Sequence, residues 1–168
     1  LHGNAGAINS WGKIADVYLN NHYDFFVLDY RGYGKSQGKI TSEDQIHNDI
    51  QIVYDSLKTL YDENNIVIIG YSIGTGFATK LASNNNPKLL ILKAPYYSMI
   101  DLAHQYTKLL PSFLIRYKIT TSKFLPHVAC PIIIFHGDKD EVIYYESSKK
   151  LQALFKNEDT LITLKGQR

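Results

Sequence analysis

Gly70-Tyr71-Ser72-Ile73-Gly74 stands between a β-branched run, Ile66 to Ile69, and a segment with Phe77, Ala78, Leu81 and Ala82 on one helical face. The pattern is G-x-S-x-G. A serine on a sharp strand-to-helix bend has its hydroxyl lifted off the end of a sheet, where it can attack a carbonyl carbon. The bend holds that serine in strained backbone angles. Side chains on the two flanking positions would clash, which explains why Gly70 and Gly74 are both glycine. The helix that begins there directs its unpaired N–H groups, and the positive end of its dipole, at negative charge developing on the carbonyl oxygen. The chemistry these residues suit is nucleophilic acyl transfer, with Ser72 as the candidate nucleophile.

Acyl transfer needs donors aimed at the oxyanion of the tetrahedral intermediate. The backbone N–H of Ile73, directly after the serine, is one candidate. The second is the N–H of Asn4, in the stretch Leu1 to Gly6, where Gly3 and Gly6 let the backbone approach closely. The same stretch also reads as an ordinary glycine-rich turn between a strand and a helix. A carboxylate is needed to orient a histidine base. Asp140, in the stretch Phe135 to Val142, lies just past a strand and downstream of Ser72, as the chain order serine, acid, histidine requires. Asp138 competes for that role, or braces the loop. Val142 stands where a calcium loop needs Asp or Asn, so that reading is excluded. Of the six histidines, His2, His22, His47, His104, His127 and His136, none follows the last strand. His2 and His136 end strands beside the presumed site and read as loop braces rather than as the base.

The elements that must carry these groups alternate. Ile8, Trp11, Ile14, Ala15, Tyr18 and Leu19 have helical spacing, and residues 23–30 read as an aromatic and β-branched strand. A glycine-rich loop follows, with Gly32, Gly34 and Gly38. Its spacing departs from a dinucleotide-binding loop and no helix opens there, so it reads as a turn braced by an Asp29–Arg31 pair. A helix starts near Ser42, where Ser42 and Gln45 fit a capping box, and its apolar face is Ile46, Ile50, Val53, Leu57 and Leu60. Strands are predicted over 65–71, 88–94, 131–137 and 159–165, with a helix carrying Leu151, Leu154 and Phe155 before the last. Near-continuous apolar strands between amphipathic helices predict an α/β fold, a mostly parallel sheet with helices on both faces, as one domain over residues 1–168. Residues 95–130 exceed an ordinary crossover. This stretch, with Tyr96, Met99, Leu102, Tyr106, Leu109, Leu110, Phe113 and Leu114, reads either as helices packed on the sheet or as a cap-like insertion lining a substrate pocket.

In sequence order, HGNAG, DYRGYGKSQG, GYSIG and HGDKDEV cover essentially the whole chain, and together they resemble the α/β-hydrolase superfamily, in particular single-domain serine hydrolases of the esterase and protein-depalmitoylase type. The resemblance implies Ser72 as nucleophile, Asp140 as acid, Asn4 and Ile73 as oxyanion donors, and no metal or organic cofactor. It implies a catalytic histidine in the loop after the last strand. That strand runs TLITLKGQR and ends at Arg168, so the histidine is expected just beyond residue 168 and these residues alone should lack the base. It also implies a strand ahead of the HGNAG loop, of which Leu1 and His2 are the tail, lying between residues 23–30 and 65–71. The native protein is therefore expected to extend in both directions, and the isolated chain to be poorly stable. The activity implied is hydrolysis of a carboxylic ester, thioester or amide through an acyl-enzyme. The alternative is a non-catalytic binding or scaffold protein, because a fold does not imply an activity.

Composition sets the remaining bounds. The chain has 168 residues, 45% hydrophobic and 20% charged, which is ordinary for a globular domain. A net charge of +2 with scattered lysines is too small to argue for nucleic acid or an anionic membrane surface, and the resemblance implies a small-molecule or acylated substrate. Cys130 is the single cysteine, which excludes an internal disulfide or Cys-based zinc site and leans toward a reducing compartment such as the cytoplasm.

Overall fold

The apolar runs form four strands, β1 (Val67–Tyr71), β2 (Leu89–Lys93), β3 (Ile132–Gly137) and β4 (Thr160–Leu164). They lie side by side in that order, all parallel, in a computed structural model that describes residues 1–4, 7–107 and 111–168. Gly6, Leu109 and Leu110 lie outside the described residues. The register aligns Gly70 with Leu92, Leu92 with Ile134, and Ile134 with Leu161, so the strand ends that carry the loops of interest share one edge. Alternate residues, Ile68, Leu90, Leu92, Ile132 and Ile134, point to one face and are buried there.

That face is covered by α4 (Gly74–Ser83), buried at eight positions including Phe77, Ala78, Leu81 and Ala82. Helix α3 (Glu43–Lys58) packs against α4 with Ile46, Ile50 and Tyr54 buried. Ser42 caps α3 as expected, accepting from the Gln45 N–H at 3.1 Å. The reciprocal bond is displaced by one residue: Gln45 Oε1 accepts from the N–H of Thr41, at 2.9 Å, not from that of Ser42. The opposite face carries Tyr71, whose ring meets Trp11 of the first helical segment at 4.9 Å. Helix α7 (Glu146–Gln152) contacts β4, with Leu151 buried and Leu154 and Phe155 packing just past its end.

Two expected elements differ. The first helix is broken into α1 (Ile8–Trp11), a 3-10 turn (Gly12–Ile14) and α2 (Ala15–Leu19), and it leaves Ile8, Ile14 and Leu19 exposed. Gly12, a poor helix former, sits at the break. Residues 23–30 form no strand. Strand propensity is realised only against a ladder partner. Leu1 occupies the flank of β1, donating to the Ile69 carbonyl at 2.7 Å and accepting from the Tyr71 N–H at 3.0 Å. Residues 23–30 thus have no ladder partner among the described residues, and Tyr23 and Phe26 are exposed.

The long connection divides in its behaviour. Helix α5 (Met99–Tyr106), a 3-10 turn (Ser112–Leu114), α6 (Thr121–Phe124) and a second turn (Leu125–His127) make it up. Tyr96, Ile119, Thr121, Leu125 and Val128 join the core, while Tyr106, Phe113 and Leu114 face solvent. Tyr96 and Ile119 lie so close to α4 that a Cβ on Gly76 would fall 2.1 Å from the tyrosine oxygen. Among the described residues no helix is long and apolar enough to cross a membrane.

Candidate active site

Only Ser72 and Ile73 separate β1 from α4, so the chain turns within two residues. Ser72 sits at φ 51°, in the left-handed region, which costs an L-residue about 1–2 kcal/mol. Three hydrogen bonds hold it there. The Ser72 N–H donates to the Lys93 carbonyl at 3.0 Å, continuing the ladder to β2. The Ser72 carbonyl accepts the Thr75 N–H at 2.9 Å and the Thr75 hydroxyl at 2.6 Å. The flanking glycines are sterically required. A Cβ on Gly70 would lie 2.7 Å from the Ala78 Cβ, and one on Gly74 only 2.3 Å from the Leu1 carbonyl oxygen. The serine is partly exposed at this edge.

The His2–Asn4 segment leans on the same bend. A Cβ on Gly3 would stand 3.5 Å from the Ser72 Cβ and 3.4 Å from the Tyr71 ring. The Asn4 side chain is engaged with Tyr33, its Oδ1 accepting the tyrosine hydroxyl at 2.6 Å. Among the described residues no acceptor takes the N–H of Asn4 or of Ile73. The Ile73 amide lies at the N-terminal end of a ten-residue helix, where such groups are electropositive.

Asp140 follows β3 on the same sheet edge. Its Oδ1 accepts the N–H groups of Val142 at 2.8 Å and Ile143 at 2.9 Å, while Oδ2 lies 3.5 Å from His136 Nε2. One strand, β2, separates β1 from β3, so the two loops start about 10 Å apart. An imidazole with a hydrogen bond at each nitrogen spans about 8 Å. Asp138, the competing carboxylate, turns the other way and accepts the Gly166 N–H at 2.6 Å, bracing the turn after β4. That turn lies against the acid loop: Gln167 accepts the Lys139 N–H at 3.0 Å.

His136 is the histidine that lies against Asp140 among the described residues. It is buried, and both ring nitrogens are engaged. The Ile143 carbonyl can only accept, so Nε2 carries the proton and donates to it at 2.7 Å. Nδ1 then accepts the Ser148 hydroxyl at 2.6 Å. Burial pushes the His136 pKa below its ordinary value, outweighing the opposing pull of the Ile143 carbonyl and Asp140, and keeps the ring neutral. His2 is likewise buried, with Nδ1 bonded to the Gly3 carbonyl at 2.7 Å.

The expected Asp29–Arg31 pair does not form. Arg31 turns outward and pairs with Asp49, while Asp29 turns inward and accepts the Ile8 N–H at 2.9 Å. Partner choice across such distances leaves no mark in a local pattern, whereas the Thr75 hydroxyl that grips the Ser72 carbonyl is a local bond of a kind threonine makes three residues back. Among the described residues, a cavity of about 360 Å³ lies between α3 and α4 and one of about 230 Å³ beneath α3, and neither of these is lined by Ser72 or Asp140. No cluster of metal-ligating side chains occurs among the described residues.

A parallel sheet with helices on both faces and a serine on a left-handed bend between strand and helix is the architecture of the α/β-hydrolases. Residues 1–127 match the family model described as serine aminopeptidase, S33, and the chain belongs to that family. It is 31% identical to the lysophosphatidylserine lipase ABHD12 of Macaca fascicularis, over 92% of this chain and 44% of that protein. It is 33% identical to the putative alpha/beta hydrolase L404 of Acanthamoeba polyphaga mimivirus, over 84% of this chain and 57% of that protein. The chain thus spans about half the length of the curated relatives it matches. Among solved structures, the alpha-beta hydrolase from Vibrio vulnificus superposes with TM-score 0.79 at 23% identity, over 98% of this chain and 64% of that one. Est1E from Butyrivibrio proteoclasticus, solved with ferulic acid bound, gives 0.77 at 22% identity, over 99% and 78%. These likenesses extend the fold over nearly the whole chain.

Proposed function

We propose that this protein is a serine hydrolase that cleaves a carboxylic ester, thioester or amide through an acyl-enzyme on Ser72. The observation that carries this reading is the bend at Ser72, a non-glycine residue held at φ 51° between two glycines that no side chain could replace. Strain of this kind persists where surrounding structure over-determines it, as at a catalytic position.

In the proposed reaction Ser72 Oγ attacks the carbonyl carbon and gives its proton to a histidine base. The oxyanion forms hydrogen bonds to the Ile73 and Asn4 N–H groups, and the tetrahedral intermediate collapses as the base protonates the leaving group. Water then attacks the acyl-enzyme by the same route. Asp140 is the acid: Oδ1 is committed to two backbone amides, which leaves Oδ2 to accept a hydrogen bond from the N–H of the base's other nitrogen and to stabilise the imidazolium that forms. His136 is not that base, since its nitrogens are already engaged, Nε2 with the Ile143 carbonyl and Nδ1 with the Ser148 hydroxyl of α7. We assign the base to a histidine of the loop after β4, a reading supported by the contact of Gln167 with Lys139 in the acid loop. The cap-like role of residues 95–130 is supported by Tyr106, whose hydroxyl donates to the Val142 carbonyl at 2.5 Å and ties α5 to the acid loop. The apolar surface there, with Phe113 and Leu114 exposed, favours a hydrophobic acyl group, and the names of the lipase relatives agree with an ester of that kind.

The test is covalent labelling of the complete protein with a fluorophosphonate probe, followed by peptide mass mapping. Modification confined to Ser72 and absent from Ser72→Ala is expected. An unlabelled Ser72, with a histidine present in the loop after β4, would refute the reading.

A further inference from the structure

The turn Asp29 to Gly38 has no part in the reaction as described, yet it grips the loop that holds the second oxyanion donor. The Tyr30 hydroxyl donates to the His2 carbonyl at 3.0 Å, and the Tyr33 hydroxyl donates to Asn4 Oδ1 at 2.6 Å. Both rings pack on the His2 imidazole, with centroids at 4.4 and 5.5 Å. Asp29 stands behind that imidazole, its Oδ1 3.6 Å from Nε2, and is 7% exposed. Gly34 closes the arrangement, because a Cβ there would fall 2.0 Å from Asp29 Oδ2.

The imidazole so enclosed makes one hydrogen bond, from Nδ1 to the Gly3 carbonyl at 2.7 Å. A carbonyl oxygen can only accept, so Nδ1 is the donor. The Gly3 carbonyl and the Asn4 N–H are opposite ends of one peptide unit, and in a trans peptide they point in opposite directions. Holding the oxygen therefore aims the hydrogen. The same bond draws electron density from the amide and makes the N–H a stronger donor. Glycine at position 3 would otherwise leave this peptide plane free to rotate, since no side chain restricts it.

We propose that His2 is a positioning residue for the oxyanion hole. Its Nδ1–H fixes the Gly3–Asn4 peptide so that the Asn4 N–H faces the reacting carbonyl beside Ser72, and the Asp29–Gly34 turn holds the imidazole in place. This inference rests on the serine-hydrolase reading of the site.

The experiment compares His2→Phe, which keeps a ring between the tyrosines but removes the donor, with His2→Asn, whose amide nitrogen can occupy the place of Nδ1. Hydrolysis of a p-nitrophenyl ester by the complete protein is followed, with Ser72→Ala as the control and thermal unfolding as the check on folding. Deleting an oxyanion donor lowers kcat about 10²–10³-fold, and a donor that is merely misaimed should lose less. For His2→Phe we expect kcat to fall roughly 10–100-fold at unchanged KM. A boronic-acid analogue of the tetrahedral intermediate should weaken by the same factor. His2→Asn should recover most of both. If His2→Phe keeps its kcat, or if His2→Asn is no better than His2→Phe, the positioning role is overturned while the hydrolase reading stands. If the wild-type protein shows no Ser72-dependent turnover, the hydrolase reading falls and this role with it.

Discussion

Replacing Ser72 by glycine and by alanine separates the strain at the bend from the chemistry of the hydroxyl. Both substitutions remove the nucleophile. Both keep the three hydrogen bonds that define the turn, because these use the N–H and carbonyl of residue 72 rather than its side chain. They differ in the Cβ. At φ 51° an alanine carries the left-handed penalty of about 1–2 kcal/mol, which glycine escapes. Glycine gives back roughly 0.5–1 kcal/mol through the greater freedom of the unfolded chain. The glycine variant should therefore be more stable than the alanine variant by about 0.75 kcal/mol at the centre of these ranges and at most about 1.5 kcal/mol, the central value being roughly 1.5–3 °C in Tm for a domain of this size. Denaturant titration and thermal unfolding of the two variants of the complete protein, read side by side, measure it. An alanine variant as stable as the glycine variant, or more so, would mean that residue 72 is not held in the left-handed region, and the main structural support for the nucleophile would be gone.

Two further predictions concern the acid loop. Asp140→Asn keeps an oxygen to accept the Val142 and Ile143 amides, so the loop should stay folded, while kcat for an ester substrate drops about 10³–10⁴-fold as the carboxylate that orients the base is lost; a fall of less than tenfold would remove Asp140 from the reaction. His136 is held neutral by burial, with its folded pKa below the ordinary 6.5, so the unfolded chain takes up a proton that the native state refuses. Its contribution to stability should be fully present above about pH 6.5, fall as the pH drops from there toward the folded pKa, and level off below it. Burial gives His47 the same sign. Melting curves between pH 7.5 and 5 should show a shallower acid slope in His136→Gln than in wild type, and identical slopes would show that His136 does not drive the effect.

The strands, the two long helices and the bend at Ser72 are legible in the sequence because each is written in neighbouring residues. Ile66 to Ile69 favour extended backbone, Ser42 caps a periodic helix, and two glycines around a serine permit a turn that other residues would block. The direction taken by a charged or polar side chain was decided elsewhere. Asp29 chose the Ile8 amide over Arg31, Arg31 chose Asp49, and Asp138 turned to Gly166. The same holds for residues 23–30, whose strand-like composition met no ladder partner. Steric limits on φ and ψ act within a residue or two, so a local pattern determines them. A hydrogen bond or a ladder pairing depends on what folding brings opposite, often dozens of residues away in the chain, and only the tertiary structure supplies that partner.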